Sequence, residues 1–259
     1  PVIFLAYSGE MRWRTRAGDE LSAVLGEPLT PDATAHAWRT ALDPRGEWMP
    51  AVLRAADRRL AQLRADGMPD AGGLVIAGDQ ASARAYAKLL REITGEPPVI
   101  VLSDEPGSTA RIGAFAASAQ RWMVAVRMVS EGVDVPRLAV GVYATSASTP
   151  LYFAQAIGRF VRARRAGETA SIFLPSVPSL LQLAGELEAR RDHVLGAPRR
   201  AGEELWDDRE LAAANQEAPQ APDASFEALE ASAHLDQVIF DGASFGTAAE
   251  AGTPDEQEY

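Results

Sequence analysis

The sequence predicts an α/β fold of three layers, a mainly parallel sheet with helices on both faces. Two observations carry the prediction. From Gly72 onward, short runs rich in β-branched residues alternate with helix-length amphipathic segments. The runs are also apolar throughout rather than alternately apolar and polar, as strands covered on both faces are. With 259 residues and 47% hydrophobic content, the chain has the material for a sizeable core.

Taken in order, Val2 to Tyr7 reads as a buried strand ending at Ser8-Gly9. Thr30-Pro31-Asp32 and Asp43-Pro44 punctuate two amphipathic stretches, the longer running from Glu47 to Ala65 and stopping before Asp66-Gly67. The alternation then begins: strand Leu74 to Ile76, helix Ala81 to Ile93, strand Val99 to Leu102, helix Thr109 to Ala119, strands Met123 to Val126 and Leu138 to Tyr143. A helix from Pro150 to Arg164, a strand from Ala170 to Leu174 and a helix from Ser179 towards Arg190 complete it. Beyond Pro198 the composition turns to Ala, Glu, Asp, Gln and Pro, which buries too little apolar surface to offset chain ordering. Only Val238-Ile239-Phe240 offers a run that can dock. The expected organisation is a strand plus helical lead-in over 1–71, an α/β domain over 72–197 and an acidic, partly disordered extension over 198–259.

Net charge is −11 with pI about 4.8, which excludes a wholesale basic surface, so any nucleic-acid contact has to be local. The absence of cysteine excludes disulfides and thiolate metal sites, and His36, His193 and His234 lack a metal-ligand spacing. No run of about 18 apolar residues and no basic stretch leading into an apolar segment is present, so a soluble, cytoplasmic protein is expected, with no membrane partner. Lys88 is the sole lysine; the arginine and alanine bias is expected of a GC-rich bacterial genome. Pro1 in place of methionine leads to the expectation of a piece of a longer chain.

The segment most informative about function is Gln155-Ala-Ile-Gly158-Arg159-Phe-Val-Arg162. Ser148-Thr149-Pro150 supplies a helix start, and at 100° per residue Phe153, Ile157, Phe160 and Val161 gather on one side. Gln155, Gly158, Arg159 and Arg162 gather on the other. A solvated arginine face is usually interleaved with glutamate at i,i+4, and none is present here. Glycine in mid-helix costs about 1 kcal/mol against alanine, so Gly158 calls for a reason such as close backbone approach. Arginine suits a phosphate, because its planar fork stays charged and donates several hydrogen bonds.

Together with Ser130-Glu131-Gly132-Val133-Asp134-Val135-Pro136, this segment resembles motifs V and VI of superfamily 2 DEAD/DEAH-type helicases, in the C-terminal RecA-like domain. The resemblance covers roughly Gly72 to Arg190. It implies a RecA-like fold and arginine fingers at Arg159 and Arg162, with Gln155 as a cleft hydrogen-bonding residue. It places Gly132, Asp134 and Gly158 on the nucleotide side, and Gly78, Gln80, Ser130 and Thr145 on the nucleic-acid side. Arg127 departs from the small or hydroxyl residue that many relatives carry at the start of motif V. ATP and Mg²⁺ are the implied cofactors, held mainly by an N-terminal RecA-like P-loop domain of the same protein. DNA is preferred over RNA, from the form of the Ser130 to Pro136 segment.

Lys88 has no glycine near it, so the chain has no Gly-x-x-x-x-Gly-Lys loop and is expected to be inactive alone as an ATP hydrolase. Val99 to Glu105 imitates the strand of a Walker B motif but reads as a strand entering a Pro106-Gly107 turn. Gly242-Ala-Ser244-Phe-Gly246 imitates a nucleophile elbow, which requires a later histidine than His234. A rival reading is a non-catalytic RecA-like module that binds a protein or nucleic acid through the same arginines. A nucleotide-sugar domain shares the alternating layout but accounts for neither motif.

Overall fold

The computed structural model describes residues 2–102, 105–126, 135–160, 168–195, 226–240 and 243–246, with side chains left out at 190–195 and 243–246. The chain begins with three strands, β1 (Val2–Ser8), β2 (Glu10–Arg14) and β3 (Glu20–Val24), then helices α1 (Pro31–Ala41) and α2 (Trp48–Ala65). The alternation follows as β4 (Gly72–Ala77), α3 (Gln80–Thr94), β5 (Val99–Val101), α4 (Ser108–Ala116), β6 (Trp122–Val126) and β7 (Leu138–Ala144). It continues as α5 (Pro150–Gly158), β8 (Ala170–Pro175) and α6 (Pro178–Leu195), and three strands end it: β9 (Glu227–Ala231), β10 (His234–Phe240) and β11 (Ala243–Gly246).

Eight strands form the main sheet in the order β11-β10-β1-β8-β7-β4-β6-β5, parallel from β1 to β5 in that order, with β10 antiparallel to its neighbours. The fold is therefore α/β with a mainly parallel sheet, as the apolar runs predict. Strands β4, β6, β7 and β8 are buried at every position, because helices cover both faces. Helices α2 and α3 pack against each other and over β4, while α5 and α6 pack together on the other side. The Tyr86 hydroxyl on α3 donates to the Leu42 carbonyl at 2.6 Å, tying α3 to the end of α1. Burial raises that phenol well above its ordinary pKa, which keeps the donor protonated.

The sheet draws on all three stretches of the sequence. Strand β1 pairs parallel with β8, and residues that composition assigns to the acidic extension form β9, β10 and β11. Strands β1 and β2 pair with β10 and β9 as one ribbon that crosses from the main sheet into a small sheet, β3-β2-β9. Its bend is at Gly9, where an added Cβ would stand 1.7 Å from the Ser232 carbonyl oxygen. Backbone and side chain lock the crossing: Ser232 N–H donates to the Glu10 carbonyl at 3.0 Å, and Glu10 N–H donates to the Ser232 hydroxyl at 2.9 Å. The exposed face of the small sheet carries Arg12 to Glu230 at 2.5 Å and Arg14 to Glu227 at 3.0 Å, with Glu20 between the two arginines. Its other face buries Met11 and Trp13, with His36 of α1 stacked on Trp13 and tilted against Phe226.

At the amino edge of the main sheet, Arg137 is 3% exposed, and its guanidinium donates to the carbonyls of Phe115 and Asp70 while lying 3.9 Å from the Phe115 ring centre. Gly72 makes room for it, since a Cβ there would meet the guanidinium at 2.7 Å. The ribbon crossing gives a direct test in urea denaturation. Gly9→Ala is expected to lose more than about 3 kcal/mol, because backbone must move, whereas Gly18→Ala, which meets nothing within 4 Å, costs about 1 kcal/mol for its positive φ. Equal losses would contradict the crossing geometry.

Candidate functional site

Register decides where side chains can gather. Ala77 at the end of β4 pairs with Val126 at the end of β6 and with Ala144 at the end of β7. The described ends of these three parallel strands stand at one level, the carboxyl edge of the sheet, and the chain leaving β4 and β7 enters that edge. In open parallel sheets that edge is where ligands bind.

After β4, Gly78 leads to Asp79, whose carboxylate accepts from the Ser82 N–H and from the Ser82 hydroxyl, both at 2.8 Å. Asp79 is the N-cap of α3, and Gln80 is its exposed first residue. After β7, Thr145 is 5% exposed and its hydroxyl accepts from the Ala147 N–H at 3.3 Å. The Tyr143 hydroxyl donates to the Ala147 carbonyl at 2.7 Å, so the turn is braced from both sides. The two loops touch: a Cβ on Gly78 would lie 3.4 Å from the Thr145 hydroxyl oxygen. The structure therefore brings Gly78 and Thr145 together, although Thr145 offers little surface.

Helix α5 begins at Pro150 behind the N-cap Thr149. Phe153, Ile157 and Phe160 are buried, with the Phe153 ring 6.0 Å from Phe4 and 5.4 Å from Tyr143. Of the expected opposite stripe, Gln155 and Gly158 lie on the helix and Arg159 caps it, while Arg162 is outside the described residues. Gly158 is exposed with nothing within 4 Å of its added Cβ, and Gln155 is half-buried with its side-chain oxygen lacking a hydrogen-bond partner. The Thr149 hydroxyl is likewise buried and unpartnered. Polar atoms left so cost about 1–3 kcal/mol each. The helix ends at Gly158 with Arg159 as C-cap, earlier than the expected Arg164. Arg159 is partly buried and engaged within the chain.

Ser130, Gly132, Asp134 and Arg162 lie outside the described residues, as do Arg127 and Asp104. Val135, where the motif V segment rejoins the described chain, is buried. No contact is described between the α5 stripe and the Gly78–Thr145 pair.

The imitation of Walker B is an ordinary strand and turn. Glu105 pairs with Arg84 at 3.1 Å and Arg111 at 3.0 Å, and Gly107, at φ +85°, caps α4. Ser244 is in the middle of β11, opposite Ile239, and so is not on an elbow. Among the described residues there is no cluster of three or more His, Cys, Asp or Glu side chains able to hold a metal ion. No helix among them is long and apolar enough to cross a membrane.

Two features of the structure escape the periodicity reading, one at the site and one at the opposite edge of the sheet. Asp79 is legible in hindsight, since Asp79-x-x-Ser82 is an N-cap pattern. Buried Arg137 has no signal beyond an arginine placed directly before an apolar strand.

The chain is 64% identical, over all of its length, to the uncharacterized protein Rv2917 of Mycobacterium tuberculosis and 61% identical to the uncharacterized protein ML1624 of Mycobacterium leprae. It spans 43% of the length of each. No protein-family model matches the chain. Among solved structures it is similar to domain 2 of the Mss116p DEAD-box helicase bound to an RNA duplex, at 17% identity and TM-score 0.41 over 66% of this chain and 68% of that one. It is also similar to the C-terminal domain of the DEAD-box protein Dbp5, at 15% identity and TM-score 0.38 over 48% of this chain and 71% of that one.

The Asp79 cap gives a stability prediction. Asp79→Ala, which frees two donors at the first turn of α3, is expected to lower stability by about 1–2 kcal/mol. Asp79→Asn should lose less, as read from urea midpoints.

Proposed function

We propose that this chain is the C-terminal RecA-like half of an ATP-dependent nucleic-acid motor, a helicase or translocase acting on DNA. It presents a cationic helix face to a nucleotide held by a P-loop domain elsewhere in the same protein. The observation that carries the reading is the outer stripe of α5. That helix ends in an exposed glycine with open space in front of it, beside a glutamine oxygen without a partner and directly before Arg159. Nothing among the described residues gives Gly158 a reason to lack a side chain. An approach from outside the chain does.

The residues present fit one wall of a triphosphate site. Gln155 on α5 supplies an amide and its C-cap Arg159 a guanidinium, to which the sequence adds Arg162, while the sequence has no Walker A loop and the described residues have no acid cluster for Mg²⁺. ATP and Mg²⁺ supply the phosphoryl-transfer chemistry when bound. On this chain Arg159 and Arg162 stabilise negative charge, Gln155 orients by hydrogen bonding, and Gly132 and Asp134 stand on the nucleotide side. The loops at Gly78, Gln80, Ser130 and Thr145 face the polymer, and the braced turn after β7 keeps one of them from shifting. The relatives' greater length leaves room for the P-loop half.

The test is nucleic-acid-stimulated ATP turnover by the full-length protein. Arg159→Ala and Arg162→Ala are each expected to lower kcat by about 10³-fold or more, the range of an arginine finger, with lysine failing to rescue. Gly158→Leu should lower turnover while leaving thermal stability unchanged or slightly higher, since no neighbour is displaced. Turnover near wild type in the arginine variants would remove the finger role.

A further inference from the structure

Helices α2 and α3 lie side by side and together carry seven basic side chains against two acidic ones, in a chain of net charge −11. Asp57 is turned to the amino edge, where it accepts from Arg121 at 2.6 Å and from the Trp122 indole at 2.9 Å, so Glu92 is the one fully exposed acid on the two helices. Arg54 and Arg58 stand four residues apart on the outer side of α2, and Arg84, Lys88 and Arg91 stand four and three apart on the outer side of α3. At 100° per residue the α3 trio falls within about 60° of arc, in line with Gln80. Arg84 has Glu105 as partner, and no ion pair is described for Arg54, Arg58, Lys88 or Arg91.

We propose that this face is a docking track for the sugar-phosphate backbone of single-stranded nucleic acid, continuing from the Gly78–Gln80 loop down the outside of α3. The inference rests on the motor reading and deepens it by naming where the strand goes after it leaves the carboxyl edge. From Gln80 to Arg91 the track runs about 16 Å, at 1.5 Å of rise per residue. Two features favour a polyanionic backbone over an acidic protein. The line starts at a loop of the sheet edge where ligands bind. The face also lacks apolar anchors, since Leu21, on β3, is the one large hydrophobic side chain exposed among the described residues. Protein partners are held mainly by desolvated aromatic and aliphatic anchors, whereas phosphate is held by Lys and Arg through release of counterions.

The experiment uses the full-length protein and a fluorescent 20-nucleotide oligo-dT, with anisotropy titrations across a salt series. Lys88→Gln/Arg91→Gln is expected to bind about tenfold more weakly, and its plot of log K against log salt should be shallower by about 1.4, at ~0.7 per lost single-strand contact. Arg16→Gln, an exposed arginine on the β2–β3 turn, should match wild type. If wild type binds and the double variant matches it in affinity and slope, the track is wrong while the motor reading stands. If the double variant and Arg16→Gln weaken alike, the track is overturned in favour of diffuse charge. If wild type itself does not bind at low salt, both the track and the nucleic-acid part of the motor reading fall.

Discussion

Backbone pairing between β4, β6 and β7 is the constraint on which the rest of the structure depends. Because Ala77, Val126 and Ala144 stand in one register row, the loops that follow β4 and β7 leave the sheet at a common level. A slip of one residue in any of these strands would exchange its two faces, and buried Val75, Val124 and Val142 would meet the wrong layer. The core therefore fixes the register, and the register fixes where Gly78 and Thr145 meet. The placing of these loops is set by packing well below them.

The same logic holds at the ends of the chain. Strand β1 cannot sit in the middle of the sheet unless β10 covers its far side, and β10 comes from more than two hundred residues away. The crossing at Gly9 and Ser232 then commits β2 and β9 to a second sheet. A helix, α1, closes that small sheet through Trp13, His36 and Phe226. The stretch that looks like a lead-in gives β1, β2 and β3, and the stretch that looks like a tail gives β9, β10 and β11, all of them members of the two sheets.

Local pattern made the central alternation readable. Strands such as Leu74 to Ile76 and Met123 to Val126 are apolar without interruption, and only a residue or two at their ends differs from the structure. The apolar side of α5 was equally legible, since Phe153 and Ile157 on the helix and Phe160 just beyond it recur at helical spacing and are all buried. Strand β9 was not: Glu227-Ala-Leu-Glu-Ala231 is made of helix-forming residues, and it is extended because it pairs with β2, where Arg12 and Arg14 meet Glu230 and Glu227. Long-range pairing overrides local propensity there, and no window of sequence contains both partners. Buried Arg137 hides for the same reason, as its partners are carbonyls brought from Asp70 and Phe115. The cationic face of α2 and α3 becomes visible only when the two helices are set beside each other.

The role proposed for the end of α5 is to meet a nucleotide held by another domain. Its most direct test is a structure of the full-length protein with a non-hydrolysable ATP analogue, reading the distance from the Arg159 and Arg162 guanidiniums to the terminal phosphate. Hydrogen-bonding distance for at least one of them, with Gly158 packed against the opposite domain, is the predicted result. Both guanidiniums remote from the nucleotide and held by carboxylates of their own domain would contradict it.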